Sequence, residues 1–380
     1  MNYRTHIASS LSEIGQPAWD GLVARQDKPN PFLSYAFLNA LHESGSATPE
    51  TGWQPQFIAL YDGDELAAAL PLYVKGHSYG EYVFDWAWAD AYGRNGLDYY
   101  PKLLCAIPFT PVTGPRLLAT DDTARAALLD VLLATQQASD VSSTHILFPP
   151  DAQAQQLREA GYLMRSGVQF HWMNAGYASF DEFLATLEQK KRKNIRAERR
   201  KVREAGVTMR RVRGVDAIDD DWRFFTRCYR HTYAEHFSKP YLNLDFFRRI
   251  ARTMPENLLL VIAERDGSPI AASLVVHDAT TLYGRYWGAL EHVPCLHFET
   301  AYYQPLEFCI EQGIQTFEGG AQGEHKMARG FLPTRTWSAH WLAHPSFADA
   351  VEKFLARESG GIDDYIDELN DRTPFKDGGR

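Results

Sequence analysis

The sequence predicts a mixed α+β (α/β) chain made of two tandem copies of one domain, each a mixed central sheet flanked by helices. Two internal matches at constant offsets predict it, together with the alternation of strand and helix patterns between them. In the first match, IALYDGDELAAAL from Ile58 to Leu70 and IAERDGSPIAASL from Ile262 to Leu274 agree at seven of thirteen positions. Each reads as two apolar runs joined by an Asp-Gly turn, the pattern of a β-hairpin. At the same offset Tyr79, Gly80 and Tyr82 fall on Tyr283, Gly284 and Tyr286, which predicts a third strand in both copies. Upstream, Pro31, Leu33 and Phe37 match Pro240, Leu242 and Phe246 at the start of a helix.

The second offset pairs Phe148, Ala152, Gln153, Gly161, Leu163, His171 and Trp172 with Phe317, Ala321, Gln322, Gly330, Leu332, His340 and Trp341. Each copy therefore reads, in order, as helix, hairpin, third strand, helix (124–137 and 300–312), strand, short helix and closing strands. The expected domains are residues 1–176, residues 177–345 opening with a long basic helix, and a C-terminal tail from 346 to 380.

Composition narrows the class. With 45% hydrophobic and 23% charged residues in 380, a disordered or fibrous chain is excluded. The longest apolar stretches, near Leu66 to Val74 and Leu258 to Ala263, fall far short of the roughly 20 residues that span a bilayer. Ser9, Ser10, Ser12 and Glu13 interrupt any secretory apolar region, so a soluble cytoplasmic protein is the expectation. Four scattered cysteines form no CxxC pair, which suits reduced thiols and offers no metal-site spacing. The net charge of −9 hides a division: Lys190 to Arg213 holds twelve basic and two acidic residues, and the remainder carries −19. Any contact with a polyanion must be concentrated on that segment.

The order of elements resembles the GNAT acyltransferase fold repeated. The motifs HSYGEYVFDWAWADAYGRNG, PFTPVTGPRLL, LYGRYWGALEHVPCLHFETAYYQP and FEGGAQGEHKMARGFLP resemble the FemAB-like family of peptidoglycan biosynthesis or recognition proteins, over most of the chain from Asn30 to Trp341. The resemblance implies two GNAT-like domains. It also implies an acyl or aminoacyl transferase that forms an amide on an amine acceptor, a small molecule or a peptidoglycan precursor, by direct attack. Fem-type enzymes use aminoacyl-tRNA, so tRNA is a candidate partner for residues 190–213. No cofactor is required, and the donor is aminoacyl-tRNA or acyl-CoA. Acetyl-CoA-dependent GNAT enzymes carry a Gly-rich pyrophosphate loop after the third strand, and neither Ala289 to Thr300 nor Ala87 to Tyr100 reproduces it.

Because the fold is duplicated, polar residues confined to one copy point to chemistry. Where the first copy reads FPPDAQAQQLREAGYL, the second reads FEGGAQGEHKMARGFL, gaining four charges, a histidine and three glycines. Glu318, Glu324 and His325 are the candidate acid–base residues. Gln322, Lys326 and Arg329 are candidate binding residues, the two cations for a phosphate, carboxylate or oxyanion. The i, i+4 spacing places His325 with Arg329, and Gln322 with Lys326, on shared helix faces. In the third strand, alternation puts Tyr283, Arg285 and Trp287 on one face, and Gly284 with Gly288 suggests a bulge or close packing. Cys295, His297 and Glu299 alternate but match no zinc signature; His297 and Glu299 are read as pocket wall or helix cap. In the first copy nine aromatics between Tyr79 and Phe109 surround Glu81, Asp85 and Asp90, read as a binding wall with acids for an amine, against a core-packing alternative. Such a wall on a purely scaffold fold would make the protein a noncatalytic muropeptide- or sugar-recognition module. Ser179 and Glu182 cap a helix predicted to run from Asp181 to Ala205, about 37 Å.

Overall fold

A computed structural model describes residues 3–320 and 323–376. The chain forms two compact units, Met1–Gly167 with Arg335–Asp364, and Val168–Thr334 with Tyr365–Arg380. Each unit is thus completed by a segment from beyond its own sequence copy. Residues from 346, expected as a tail, lie in the helix Pro345–Asp371. Among the described residues no helix is long and apolar enough to cross a membrane.

In the first unit the strands are β1 (Arg4–Ala8), β2 (Trp53–Pro55), β3 (Phe57–Asp62), β4 (Glu65–Leu70), β5 (Leu72–Lys75), β6 (Lys102–Cys105), β7 (Leu118–Ala119) and β8 (Ser143–Leu147). One sheet is ordered β1-β3-β4-β7; the other runs β2-β5-β6-β8 and is closed by residues 338–342, antiparallel to β8. Helix Asp122–Ala138 begins on the Asp121 cap and buries Ala124, Leu128 and Leu132 against Ile58, Leu70 and Ile146. Tyr79, Gly80 and Tyr82, expected in a strand, lie in a loop over 76–85, with Gly80 at φ 82° and Tyr82 at φ 64°. The next strand is instead β6, whose Lys102 draws this loop around itself, as described below.

The second unit contains β9 (Leu163–Met173, of which His171–Met173 pair here), β10 (Val207–Arg213), β11 (Leu258–Arg265), β12 (Ser268–His277), β13 (Thr281–Ala289), β14 (Thr316–Glu318) and the start of β15 (Leu332–Leu342). Its order is β10-β11-β12-β13-β14-β9, antiparallel except for the parallel pair β13–β14. Each duplicated hairpin has a register shift two residues before its turn, at Leu60/Tyr61 and at Ala263/Glu264, but the turn falls on Gly63-Asp64 in the first and on Asp266-Gly267 in the second, one position apart in the sequence match. The upstream helices Tyr35–Glu43 and Leu244–Thr253 are both capped by a side chain, Ser34 and Asn243.

The basic helix is not continuous. Helix Phe180–Thr186, capped by Ser179, stops at the buried Leu187, and a second helix runs from Gln189 to Glu204. At the break Glu188 N–H donates to Pro374 O, and Lys376 N–H to Thr186 O. The terminal segment thus takes backbone bonds that a continuous helix would make itself.

Of the two glycines in β13, Gly288 serves packing: a Cβ there would lie 2.1 Å from the Cys228 carbonyl oxygen of helix Asp219–Glu235. Gly288→Ala is expected to lower unfolding stability by about 1–3 kcal/mol, measured by urea denaturation, because backbone cannot yield as a flexible side chain can.

Candidate functional site

A cavity of about 290 Å³ opens in the second unit, lined by Gly284 to Trp287 of β13, by Ser273, His297, Ala301 and Tyr302, and by Gly319, Gly320, His325 and Lys326. Its position follows from strand pairing. β13 and β14 pair only from Thr281–Tyr283 to Thr316–Glu318. On the other side of β13 the register jumps from Leu274↔Tyr286 to Val275↔Gly284, leaving Arg285 as the extra residue of a bulge. The bulge anticipated from the glycines is present, but it breaks the alternation, so Arg285, Tyr286 and Trp287 all reach the cavity. The Arg285 guanidinium lies 3.3 Å from the Tyr286 hydroxyl.

The opposite wall is irregular for a local reason. Cys295 takes φ 68°, Leu296–Phe298 starts a helix, and Glu299–Tyr303 widens into a π-turn before helix Gln304–Gln312. Single π-turns of this kind concentrate at functional sites. The segment is helical, so Cys295, His297 and Glu299 do not share a strand face. His297 lines the cavity, its ring 5.0 Å from Trp287 and 5.5 Å from Tyr302. Glu299 faces away, buried and gripped by both Arg199 and Gln304. Among the described residues no group of His, Cys, Asp and Glu is placed to hold a metal.

The 3₁₀ helix Glu324–Arg329 carries the third wall. Its tighter winding replaces the predicted i, i+4 faces. His325 and Lys326 line the cavity, whereas Arg329 donates to the His325 carbonyl oxygen at 2.7 Å and grips Glu198 with its guanidinium lying 3.4 Å over Phe298. Glu324 is half-exposed, accepting from the Tyr365 hydroxyl at 2.6 Å with Arg372 at 3.8 Å. Gln322 lies outside the described residues. Lys326 is 2% exposed, and its Nζ donates to Gly320 O at 2.9 Å. Burial pulls its ammonium down to about 8. Burial also lowers His297 to about 4, assisted by His325, Arg329 and Lys326, and lowers His325 through burial, Arg329 and Lys326. Both imidazoles are thereby neutral acceptors at pH 7.

Glu318 ends β14 behind this wall, beside Tyr283. Its Oε2 makes no hydrogen bond to any described residue, and His171 Nε2 is 4.0 Å away. Burial raises its carboxyl to about 8, against the opposing charge of Arg285 and with help from Asp278. A carboxyl with a raised pKa stays protonated on folding while the unfolded one ionises, so it subtracts stability as pH climbs toward the folded pKa. Glu318→Gln is expected to flatten the fall of melting temperature between about pH 6.5 and 8, above the histidine titrations, in calorimetry against the parent protein.

The first-copy acids have other roles. Glu81 and Asp85 close on the fully buried Lys102, whose Nζ donates to Ser78 Oγ at 2.7 Å, to Glu81 at 2.8 Å and to Asp85. Burial lifts Glu81 to about 7 despite Lys102, while in Asp85 the Lys102 and His145 charges overcome burial and hold the carboxyl below its usual range. Asp90 is an exposed i, i+4 partner of Arg94 on helix Trp86–Arg94. Trp88 on that helix is core, whereas Trp86 is 41% exposed and 5.0 Å from the ring of Tyr79. Lys102→Ala, which strands two buried carboxyls, is expected to cost about 3–5 kcal/mol of stability in chemical denaturation.

The sequence did not point to Ser273, Tyr286, Ala301 and Tyr302 as lining residues. For Ala301 and Tyr302 the signal was the AYYQP run after the third strand, but the π-turn that presents two consecutive residues has no sequence period.

The chain belongs to the FemAB-like family, described as peptidoglycan biosynthesis/recognition, whose model matches residues 10–377. The fold is shared with solved proteins at low identity. Crystalline FemX is 13% identical, with 93% of this chain and 100% of that one covered at a TM-score of 0.57. The C-terminal domain of a putative lysylphosphatidylglycerol synthetase from Agrobacterium fabrum is 10% identical, covering 91% and 97% at 0.53. The L-PGS of Bacillus licheniformis is 13% identical, covering 90% and 98% at 0.50. No curated protein sequence matches the chain.

Proposed function

We propose that the cavity of the second unit is the centre of an N-acyl or aminoacyl transferase that acts on an amine acceptor, a peptidoglycan precursor or a small molecule. The observation that carries this is the pairing, in one cavity at a strand divergence, of two cations with two neutral imidazoles and with no lining carboxylate. In the reaction the amine lone pair attacks the donor carbonyl carbon. The new C–N bond forms first and pushes the carbonyl electrons onto oxygen; collapse of that oxyanion then breaks the C–O bond of an aminoacyl ester or the C–S bond of a thioester. The ammonium proton passes to His325, and the leaving group departs with the bonding electrons. Arg285 and Lys326 face the oxyanion that develops between the two steps. Attack is direct: the hydroxyl of the lining Ser273 already donates to Thr300 O at 2.7 Å. Glu318 serves as a buried proton reservoir behind the wall, and Glu324 orients the turn through Tyr365.

For the donor, aminoacyl-tRNA is favoured by the exposed Lys190, Lys193, Arg196, Arg200, Lys201 and Arg203 on and around helix Gln189–Glu204. Arg199, by contrast, is taken by Glu299 and Glu307. A recognition-only reading has its own observation, the exposed Tyr79–Trp86 ring pair suited to a sugar face.

The test is amide formation followed by mass spectrometry, with aminoacyl-tRNA or acyl-CoA donors and peptidoglycan-precursor peptides as acceptors. Lys326→Met is expected to lower turnover by about 10²–10³ and His325→Gln by about 10²–10⁴ without loss of fold. Acetyl-CoA is expected to give little thermal stabilisation, well short of the roughly 2.7 kcal/mol of a ligand at 100 times its dissociation constant. Sugar binding that survives with no turnover from any donor would favour recognition alone.

A further inference from the structure

We propose that Glu198, an acid inside the most basic stretch of the chain, is a positioning residue for the candidate site: its carboxylate ties two walls of the cavity to helix Gln189–Glu204 and acts on His325 through Arg329. The tie rests on contacts within the second unit; its consequence for proton transfer rests on the transferase reading.

The two acids of residues 190–213 are placed differently. Glu204 is exposed and 3.6 Å from Arg200, one turn back on its own helix. Glu198 belongs to the inward stripe. Ile195, Glu198, Arg199 and Val202 recur at the i, i+3, i+4, i+7 spacing of one helix face, and Ile195 and Val202 are buried. From that stripe the Glu198 carboxylate accepts from Arg329 Nη2 through both oxygens, at 3.0 and 2.9 Å, and from the Tyr303 hydroxyl. Arg329 ends the 3₁₀ helix that carries His325 and Lys326, and Tyr303 ends the π-turn that carries Ala301 and Tyr302. Two irregular walls therefore meet on one side chain outside the cavity. Arg199, the next residue, secures the start of the π-turn by gripping Glu299 at 3.1 and 2.9 Å.

Arg329 carries the tie to His325. Its Nη1 donates to the His325 carbonyl oxygen, its Nη2 is taken by Glu198, and its guanidinium carbon lies 3.4 Å from the centre of the Phe298 ring. Around the imidazole stand Arg329 and Lys326 of its own turn, the His297 ring at 6.5 Å, the Tyr302 hydroxyl 3.4 Å from Nε2, and Arg285 of β13 in the same cavity wall. Each cation disfavours a further positive charge on the ring, and after burial Arg329 contributes most. Arg329 is itself buried, and a buried guanidinium stays in place only while an anion meets it. Without Glu198 it turns to water and takes its charge away from His325. The sign of the effect separates this route from a direct one. Loss of a negative charge acting directly on an imidazole lowers its proton affinity; loss of Glu198 acting through Arg329 raises it.

The test follows the histidine ring ¹³Cε1–¹H signals of the full chain by NMR through a pH titration. No donor or acceptor is present, so an absence of turnover would fail the transferase reading and leave this test standing. His325→Gln and His277→Gln assign two signals; His277, in the same unit, is lowered by burial and not by Arg329. Glu198→Ala and Arg329→Met are each expected to raise the His325 midpoint by about half a unit, and the double variant to raise it no further than either alone. Glu198→Gln, which keeps the side-chain volume, should move it in the same direction, and Glu204→Gln should not move it. His277 is expected to keep its midpoint throughout. A His325 midpoint that falls or stays in both Glu198 variants, shifts that add in the double variant, or a His277 shift as large as that of His325 would each overturn the proposal.

Discussion

The second unit depends on a parallel strand pair that stops after three residues. β13 and β14 pair from Thr281 to Tyr283, then Arg285 bulges and β14 gives way to Gly319 and Gly320. A parallel pair continued further would bring side chains of both strands into a packed layer and leave no space between them. Stopping it opens the sheet from within, and everything in the candidate site faces that opening. Gly284 is part of the arrangement, since a Cβ there would crowd the Phe317 ring at 3.2 Å.

The irregular elements around the opening are held by ordinary packing and pairing. The 3₁₀ helix that presents His325 and Lys326 is fixed at both ends: Tyr365 binds Glu324, and Arg329 is locked between Glu198 and Phe298. Glu324, read from sequence as an acid–base candidate, Arg329, read as a binding residue, and Glu299, read as a pocket wall or cap, are each held by partners in the fold, and the groups left facing the cavity are fewer and more buried. Burial then sets their protonation. Lys326 without a carboxylate partner and two crowded imidazoles lose charge more readily than in water, which prepares them to take a proton or to face a developing negative charge.

The duplicated first unit puts the equivalent positions to a different use. At equivalent positions of the closing strands, His171 stands opposite Glu318 in the second unit, and His340 opposite His145 in the first. In the first unit the chain of contacts runs from Lys102 through Asp85, Tyr99 and His145 to His340, with the two Nδ1 atoms 2.7 Å apart. The buried ammonium is met by two carboxylates, Ser78 and a hydrogen-bonded chain behind it, while Glu81 Oε1 and Asp85 Oδ1 make no hydrogen bond to any described residue.

How much was legible from sequence follows from the range of the physics involved. The hairpins, the Asp-Gly turn of the second and the capped helices could be read because strand alternation, turn chemistry and caps are local; in the first hairpin the turn falls one residue on, at Gly63-Asp64. The same locality made the second-copy cluster visible: Glu318, His325 and Lys326 stand out against Phe148-Pro-Pro and Gln156-Leu157 within one chain. Tertiary structure decided the rest. Leu187 breaks the basic helix because its side chain is buried and residues 374–376 supply backbone partners from almost two hundred positions away. Tyr79 and Tyr82 leave the expected strand because Lys102, distant in sequence, needs the loop's Glu81 and Asp85 as counter-charges. Arg285, Tyr286 and Trp287 face one cavity because a bulge overrides alternation, and whether a charged residue near it meets a ligand or a buried partner is settled only when the chain has folded and the partners are in place.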